Sequence, residues 1–248
     1  MTSYEESLNS VSTAQEPAVA ERQVWDLPVR IFHWSLVAAI VTAFVTNRLG
    51  VAYFKYHVWS GYAVIVLVAF RIVWGLVGTR HALFRNFLRG PSETLAYVRD
   101  LAAGKDAHYP GHNPLGALMV LTLLGALAAQ AVLGLFGNDE IFNVGPLVGY
   151  VTKDFSLEAT SIHRKLFYWL AGAVALHVLA VIGHKIFKNE NLARAMITGR
   201  KPQHVVPSGE AIRGSRTWLA VLLVVGLAAI LVVIVTHAPS AAADAAEF

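Results

Sequence analysis

The 248-residue sequence contains no cysteine. That excludes disulfide bridges, iron–sulfur clusters held by thiolates, and covalent haem attachment through Cys-x-x-Cys-His. Charge is scarce as well, with 15% of residues charged against 56% hydrophobic. A soluble domain carries roughly 25% charged residues, so this composition suits a bilayer better than water. Nor does any Asp or Glu interrupt the long apolar runs. The formal net charge of +4 and the pI near 9.4 come from basic residues scattered between those runs, not from one stripe. They read as topology signals and not as a nucleic-acid surface. The first two dozen residues are polar, rich in Ser and Glu, and without the apolar centre of a signal peptide; residues 1–24 are expected to form a flexible tail. No repeat is present, and the one low-complexity segment is the Ala-rich end after Pro239.

What is present is five apolar stretches, at about 27–47, 57–77, 114–136, 162–187 and 217–236. Each supplies the roughly 20 helical residues that cross a hydrocarbon core of about 30 Å. The expected fold class is all-α, an integral membrane helical bundle. Asp26 can cap the first helix with Pro28 in its opening turn, Asn113 and Pro114 fit N-cap and N1 of the third, and Gly137 can stop it. Lys and Arg in the short loops set the orientation. Two precede the first helix, five fill the second connection and seven surround the inner end of the fourth helix, against five on the opposite side. The N-terminus is therefore expected in the cytoplasm and the C-terminus outside. Within the second connection, Ser92 to Gly104 places Leu95, Val98, Leu101 and Ala102 near one helical face, as in a short helix on the inner membrane surface. The outer connection before the fourth span is locally acidic, with Asp139, Glu140, Asp154 and Glu158.

Histidines within apolar spans are costly unless partnered, so they stand out. His33 lies near the inner end of the first helix, His57 and His163 at the outer starts of the second and fourth, and His177 and His184 further down the fourth. His163 and His177 are 14 residues apart, about 40° short of four full turns, so both rings share a face at depths about 21 Å apart. No single small metal spans that distance. His57 matches the depth of His163, and His33 matches that of His177, which gives two interhelical pairs. Two neutral imidazoles on facing helices are the ligand set for a haem iron whose macrocycle packs among apolar side chains. The bland alternative for any one ring is an interfacial histidine bonded to a carbonyl or water.

His184, 7 residues past His177 and about 20° off its face, is the second choice for the inner ligand. His81, His108, His204 and His237 fall in loops or at a terminus and are expected to be solvated. His112, at the inner surface before the third helix, is a candidate for proton exchange or a quinone site. Arg71 is 14 residues below His57 on the same face. It suits haem propionates or a quinone headgroup through a charge-assisted fork, with snorkelling to the interface as the alternative. The six tryptophans fit an aromatic belt.

Val-Trp-Asp-Leu-Pro-Val-Arg-Ile-Phe-His-Trp at 24–34, Tyr-His-Val-Trp-Ser-Gly-Tyr at 56–62, Phe-Arg-Ile-Val-Trp-Gly-Leu-Val-Gly-Thr-Arg-His at 70–81, Gly-His-Asn-Pro-Leu-Gly at 111–116 and Ile-His-Arg-Lys at 162–165 resemble the bacterial cytochrome b561 and nickel-hydrogenase b-type cytochrome family. The resemblance covers about 24–200. It implies a four-helix haem-binding core with two non-covalent haem b groups, on His33, His57, His163 and His177. It also implies electron exchange with the quinone pool and with a periplasmic cytochrome c or a hydrogenase or dehydrogenase subunit, in the inner membrane. The chain departs from the family by a fifth C-terminal transmembrane helix. The expected organisation is thus the tail, a di-haem domain at 25–200, and a linker, fifth helix and Ala-rich external tail at 201–248. Rival readings are a histidine-based metal or proton transporter, a haem-containing membrane anchor of a larger oxidoreductase, and oxidation of a small reductant such as superoxide at the outer haem. The transporter calls for acidic residues beside the histidines, and the spans have none.

Overall fold

The computed structural model describes residues 20–105 and 108–239. The beginning of the expected tail and the Ala-rich end lie outside the described residues. Among the described residues, five helices are long and apolar enough to cross a membrane: α1 (Leu27–Arg48), α2 (Phe54–Val77), α5 (Pro114–Leu135), α6 (Lys153–Phe187) and α8 (Thr217–Thr236). The shorter α3 (Phe84–Phe87) and α4 (Pro91–Ala102) join α2 to α5, and α7 (Leu192–Thr198) follows α6. The end of the bundle where α1 begins is called the near side below.

Local chemistry starts these helices where they start. The Asp26 carboxylate accepts from Val29 N at 2.7 Å and the Asn113 side chain from Gly116 N at 2.7 Å, each satisfying an orphan amide ahead of an N-terminal proline. Two starts come earlier than hydropathy suggests. α2 begins at Phe54 after a tight turn at Val51–Tyr53. α6 begins at Lys153, capped by Thr152, which accepts from Phe155 N at 3.3 Å, and with Asp154 at its positive end. At 35 residues α6 is about 52 Å long, so its first turns stand beyond the hydrocarbon. His163 is consequently ten residues inside the helix and not at its mouth.

Packing runs α1 on α2, α2 on α5 and α5 on α6, and α1 meets α6 through the stacked Phe44 and Phe167 rings. α8 lies along α2. Its near end is tied down by Arg216, which donates to the last carbonyls of α2, Val77 O at 3.0 Å and Gly78 O at 3.3 Å. Its far end takes a bond from the Tyr150 hydroxyl to His237 O at 3.3 Å.

A cap on the near side was not legible in the sequence. Strands β1 (Glu21–Gln23) and β2 (Arg200–Pro202) pair antiparallel, Arg22 opposite Lys201. The pairing ties residues 21–23 to residues 200–202 across both expected division points, each strand supplying the other's backbone hydrogen bonds. Gly199 closes α7 at φ +81, and its carbonyl accepts from Val24 N at 2.8 Å and Trp25 N at 3.0 Å. A Cβ there would sit 2.7 Å from Trp25 O, so glycine is required on two grounds. Lys201, 3% exposed, is satisfied by Glu190 Oε1 at 2.6 Å and Tyr109 O at 3.0 Å.

Candidate functional site: two histidine pairs at two depths

The far-side pair joins α2 to α6. The rings of His57 and His163 have centroids 6.2 Å apart. His57 Nδ1 lies 2.9 Å from Ala43 O on α1, and His163 Nδ1 lies 2.8 Å from Gln130 O on α5. A carbonyl only accepts, so each Nδ1 carries the proton and each Nε2 is left with its lone pair. Gly134 makes room for this arrangement, because a Cβ on it would lie 3.2 Å from His163 Cε1. The near-side pair joins α1 to α6, with His33 and His177 centroids 6.5 Å apart. His33 meets Trp34 edge-on at 5.0 Å, and its buried Nδ1 has no partner.

These separations can be tested against the group the histidines would hold. Two imidazoles sharing one metal through nitrogen bonds of about 2 Å each would have their ring centres roughly 6 Å apart. Both pairs match that spacing. Two protein ligands complete an iron already held by four macrocycle nitrogens, whereas a bare cation of the zinc type asks for three or four. Among the described residues no group of three or more His, Cys, Asp or Glu is gathered for one ion. The residues fit haem.

His184 does not join either pair. Its Nδ1 is bonded to Ala180 O at 2.9 Å and its Nε2 meets the Asn113 amide at 3.2 Å, so both ring nitrogens are engaged. Arg71 does not snorkel. It is 3% exposed, donates to Ala82 O at 3.2 Å, and its guanidinium lies over Phe84 at 5.1 Å and Phe87 at 5.9 Å. His112 is half-buried: Trp25 and Phe87 flank it at ring distances of 4.8 and 4.7 Å, and its Nδ1 is buried without a partner. Burial, reinforced by the positive charge of Arg71, pushes its pKa down to about 3, so the ring is neutral at physiological pH. His81 is likewise corrected from a solvated loop histidine to a buried one, because its Nε2 finds Glu210 O at 2.8 Å. His108, His204 and His237 are exposed, as a loop reading expects.

One residue at this end was read only as a cap. Asp26, 1% exposed, also accepts from Trp74 Nε1 at 3.1 Å and from the Thr79 hydroxyl. It therefore bolts the start of α1, seven residues before His33, to the end of α2. Its position before Pro28 signals the cap, but nothing in the sequence signals Trp74 or Thr79 as partners.

A bundle of membrane-spanning helices carrying facing histidines at two depths has the architecture of a b-type membrane cytochrome. The sequence profile described as prokaryotic cytochrome b561 matches residues 24–199. The chain belongs to that family. Relatives include a probable Ni/Fe-hydrogenase B-type cytochrome subunit of Cupriavidus necator, 24% identical over 226 residues that span 76% of this chain and 90% of the relative. A probable Ni/Fe-hydrogenase 1 B-type cytochrome subunit of Escherichia coli is 24% identical over 215 residues, 73% of this chain and 91% of the relative. A probable Ni/Fe-hydrogenase B-type cytochrome subunit of Rhodobacter capsulatus is 24% identical over 219 residues, 72% and 80%. The protein is thus a multi-pass membrane protein that binds haem b and transfers electrons. α8 lies beyond the matched segment.

Proposed function

We propose that this chain carries electrons across the bacterial inner membrane on two haem b groups, one held by His33 and His177 on the near, cytoplasmic side and one by His57 and His163 on the far, periplasmic side. The observation that carries this reading is the pair of ring separations, 6.5 and 6.2 Å, at levels 14 residues apart on one face of α6. Haem b, when bound, supplies a one-electron carrier at each level. The chain's residues supply ligation, orientation and exclusion of water. The carbonyls of Ala43 and Gln130 fix the tautomer and rotation of the far ligands. Arg71, held among aromatic rings, offers a positive fork to a haem carboxylate or a quinone headgroup. His112, neutral and with Nδ1 unpartnered, offers a hydrogen bond to a quinone.

Quinone is the proposed small redox substrate, near Arg71 and His112. The proposed protein partner is a hydrogenase-like subunit, as the names of the relatives suggest, with a periplasmic cytochrome c as the second reading. The acidic far loop gives the latter less support than its sequence implies. Asp139 takes the amides of Ile141, Phe142 and Asn143, and Glu140 pairs with Lys153 at 3.0 Å, so part of that charge is used within the loop. The excess of Lys and Arg on the near side supports a cytoplasmic N-terminus.

The test is reduction of the haem-loaded protein in liposomes by a short-chain quinol. Reduction of the haems, slowed in Arg71→Gln at unchanged haem content, is expected. Haem that dithionite reduces but no quinol does would remove quinone from the reading.

A further inference from the structure

Helix α4 lies in the connection between two spans, and its faces differ. Leu95, Val98, Leu101 and Ala102 fall on one side of the helical wheel, and all four are exposed. The side turned to the protein is anchored: Tyr97 is buried, edge-on to Tyr109 at 5.6 Å, and the Tyr109 carbonyl holds the buried Lys201 ammonium. Glu93, Ala96, Asp100 and, at its edge, Leu101 border a cavity of about 270 Å³ toward Pro114 at the start of α5. Leu95 and Val98 thus lie on the flank away from that cavity, with Leu101 at its border.

We propose that α4 is an interfacial helix lying in the lipid headgroup layer of the near-side leaflet, with Leu95, Val98 and Leu101 seated at the acyl boundary. The bilayer is the occupant of that face for three reasons. α2 ends at Val77 and α5 begins at Pro114, so the connection leaves and re-enters the membrane on the same side. At 12 residues the helix is about 18 Å long, enough to lie in the plane but too short to cross. The stretch 78–113 carries Arg80, Arg85, Arg89, Arg99 and Lys105 against Glu93, Asp100 and Asp106, five positive and three negative, a net +2. Arginines beside such a face place their stems on acyl chains and their guanidiniums at the phosphates. Docked in this way, α4 fixes the height of the near cap, because Tyr97 transmits its position through Tyr109 to Lys201 and Glu190. The inference does not depend on the haem assignments.

The absence of cysteine makes the test clean. Single variants Leu95→Cys, Val98→Cys and Leu101→Cys, with Ser92→Cys and Glu93→Cys on the other flank, are spin-labelled and placed in vesicles of phosphatidylcholine and phosphatidylglycerol. Collision rates are then measured with oxygen, which partitions into lipid, and with a water-soluble nickel chelate. Each variant is first checked for an unchanged haem spectrum. The oxygen-to-chelate ratio is expected to be several-fold higher at 95, 98 and 101 than at 92 and 93. High chelate access at all five positions would overturn the proposal, placing α4 in water. Shielding of 95, 98 and 101 from both reagents would also overturn it, in favour of a protein covering that face.

Discussion

The two histidine pairs look alike by ring separation, yet they are built differently. On the far side each histidine is steered by a neighbouring helix, His57 by Ala43 O of α1 and His163 by Gln130 O of α5. On the near side His33 Nδ1 is buried and unpartnered, and His177 makes no ring hydrogen bond among the described residues. The far rings are thus oriented before any group binds, while the near rings are set by packing, beneath a cap bolted together by Asp26. Orientation by a carbonyl raises ligand basicity and spares the rotational freedom otherwise lost on binding, and such partners are worth about 10- to 100-fold in affinity. The near site should be the weaker holder, although its polypeptide surroundings are the more elaborate.

The largest effect comes from removing ligands. His177→Ala should lower the bound haem from two per chain to one and spare the far haem, and His163→Ala should do the reverse. His184→Ala should leave both, since neither of its ring nitrogens is free. Pyridine haemochrome assays on purified protein decide this, and loss of a haem in His184→Ala would move the near ligand.

Competition for haem by an apo-globin sharpens the contrast between the sites. The near haem should leave about 10- to 100-fold faster than the far one. Release at equal rates would mean that the carbonyl bonds of the far pair add nothing.

Asp26 tests the cap. Asp26→Ala leaves the Trp74 indole and the Thr79 hydroxyl buried without their carboxylate, and the chain should lose about 2 kcal/mol of stability by unfolding in detergent. Near-haem retention should fall and far-haem retention should hold. Equal damage to both would show that the cap supports the whole bundle and not one end of it.

The smallest effect is confined to the far loop. Backbone amides, Asn143 first among them, hold the Asp139 carboxyl below the usual carboxylate range, partly against its desolvation. A carboxyl depressed in the folded state stabilises fully above its ordinary pKa and loses that contribution as pH falls below it. Amide exchange at Ile141, Phe142 and Asn143 should therefore be protected at neutral pH and rise only in strong acid. In Asp139→Ala it should be fast throughout.

The parts legible in the sequence were those with a periodic or local cause. Apolar runs gave the five spans, Asp26-x-Pro28 and Asn113-Pro114 gave two helix starts, and 100° per residue put His163 and His177 on one face of α6. What escaped depends on contacts distant in sequence. β1 and β2 are three residues each, Glu-Arg-Gln and Arg-Lys-Pro, too short and polar to alternate, and they pair between positions as distant in sequence as Arg22 and Lys201. Lys201 and His81 look solvated because their partners, Glu190 and the Glu210 carbonyl, reach them only in the fold. The early start of α6 had a signal in Thr152 followed by Asp154, but hydropathy registers only the part of a helix that lies in lipid.

Haem stoichiometry, measured as haem b per chain on the wild-type protein purified in mild detergent with haem supply ensured, with low-temperature electron paramagnetic resonance of the oxidised form, tests the central claim most directly. Two low-spin bis-imidazole signals at two haems per chain are the expected result; a single haem, or none, would contradict it.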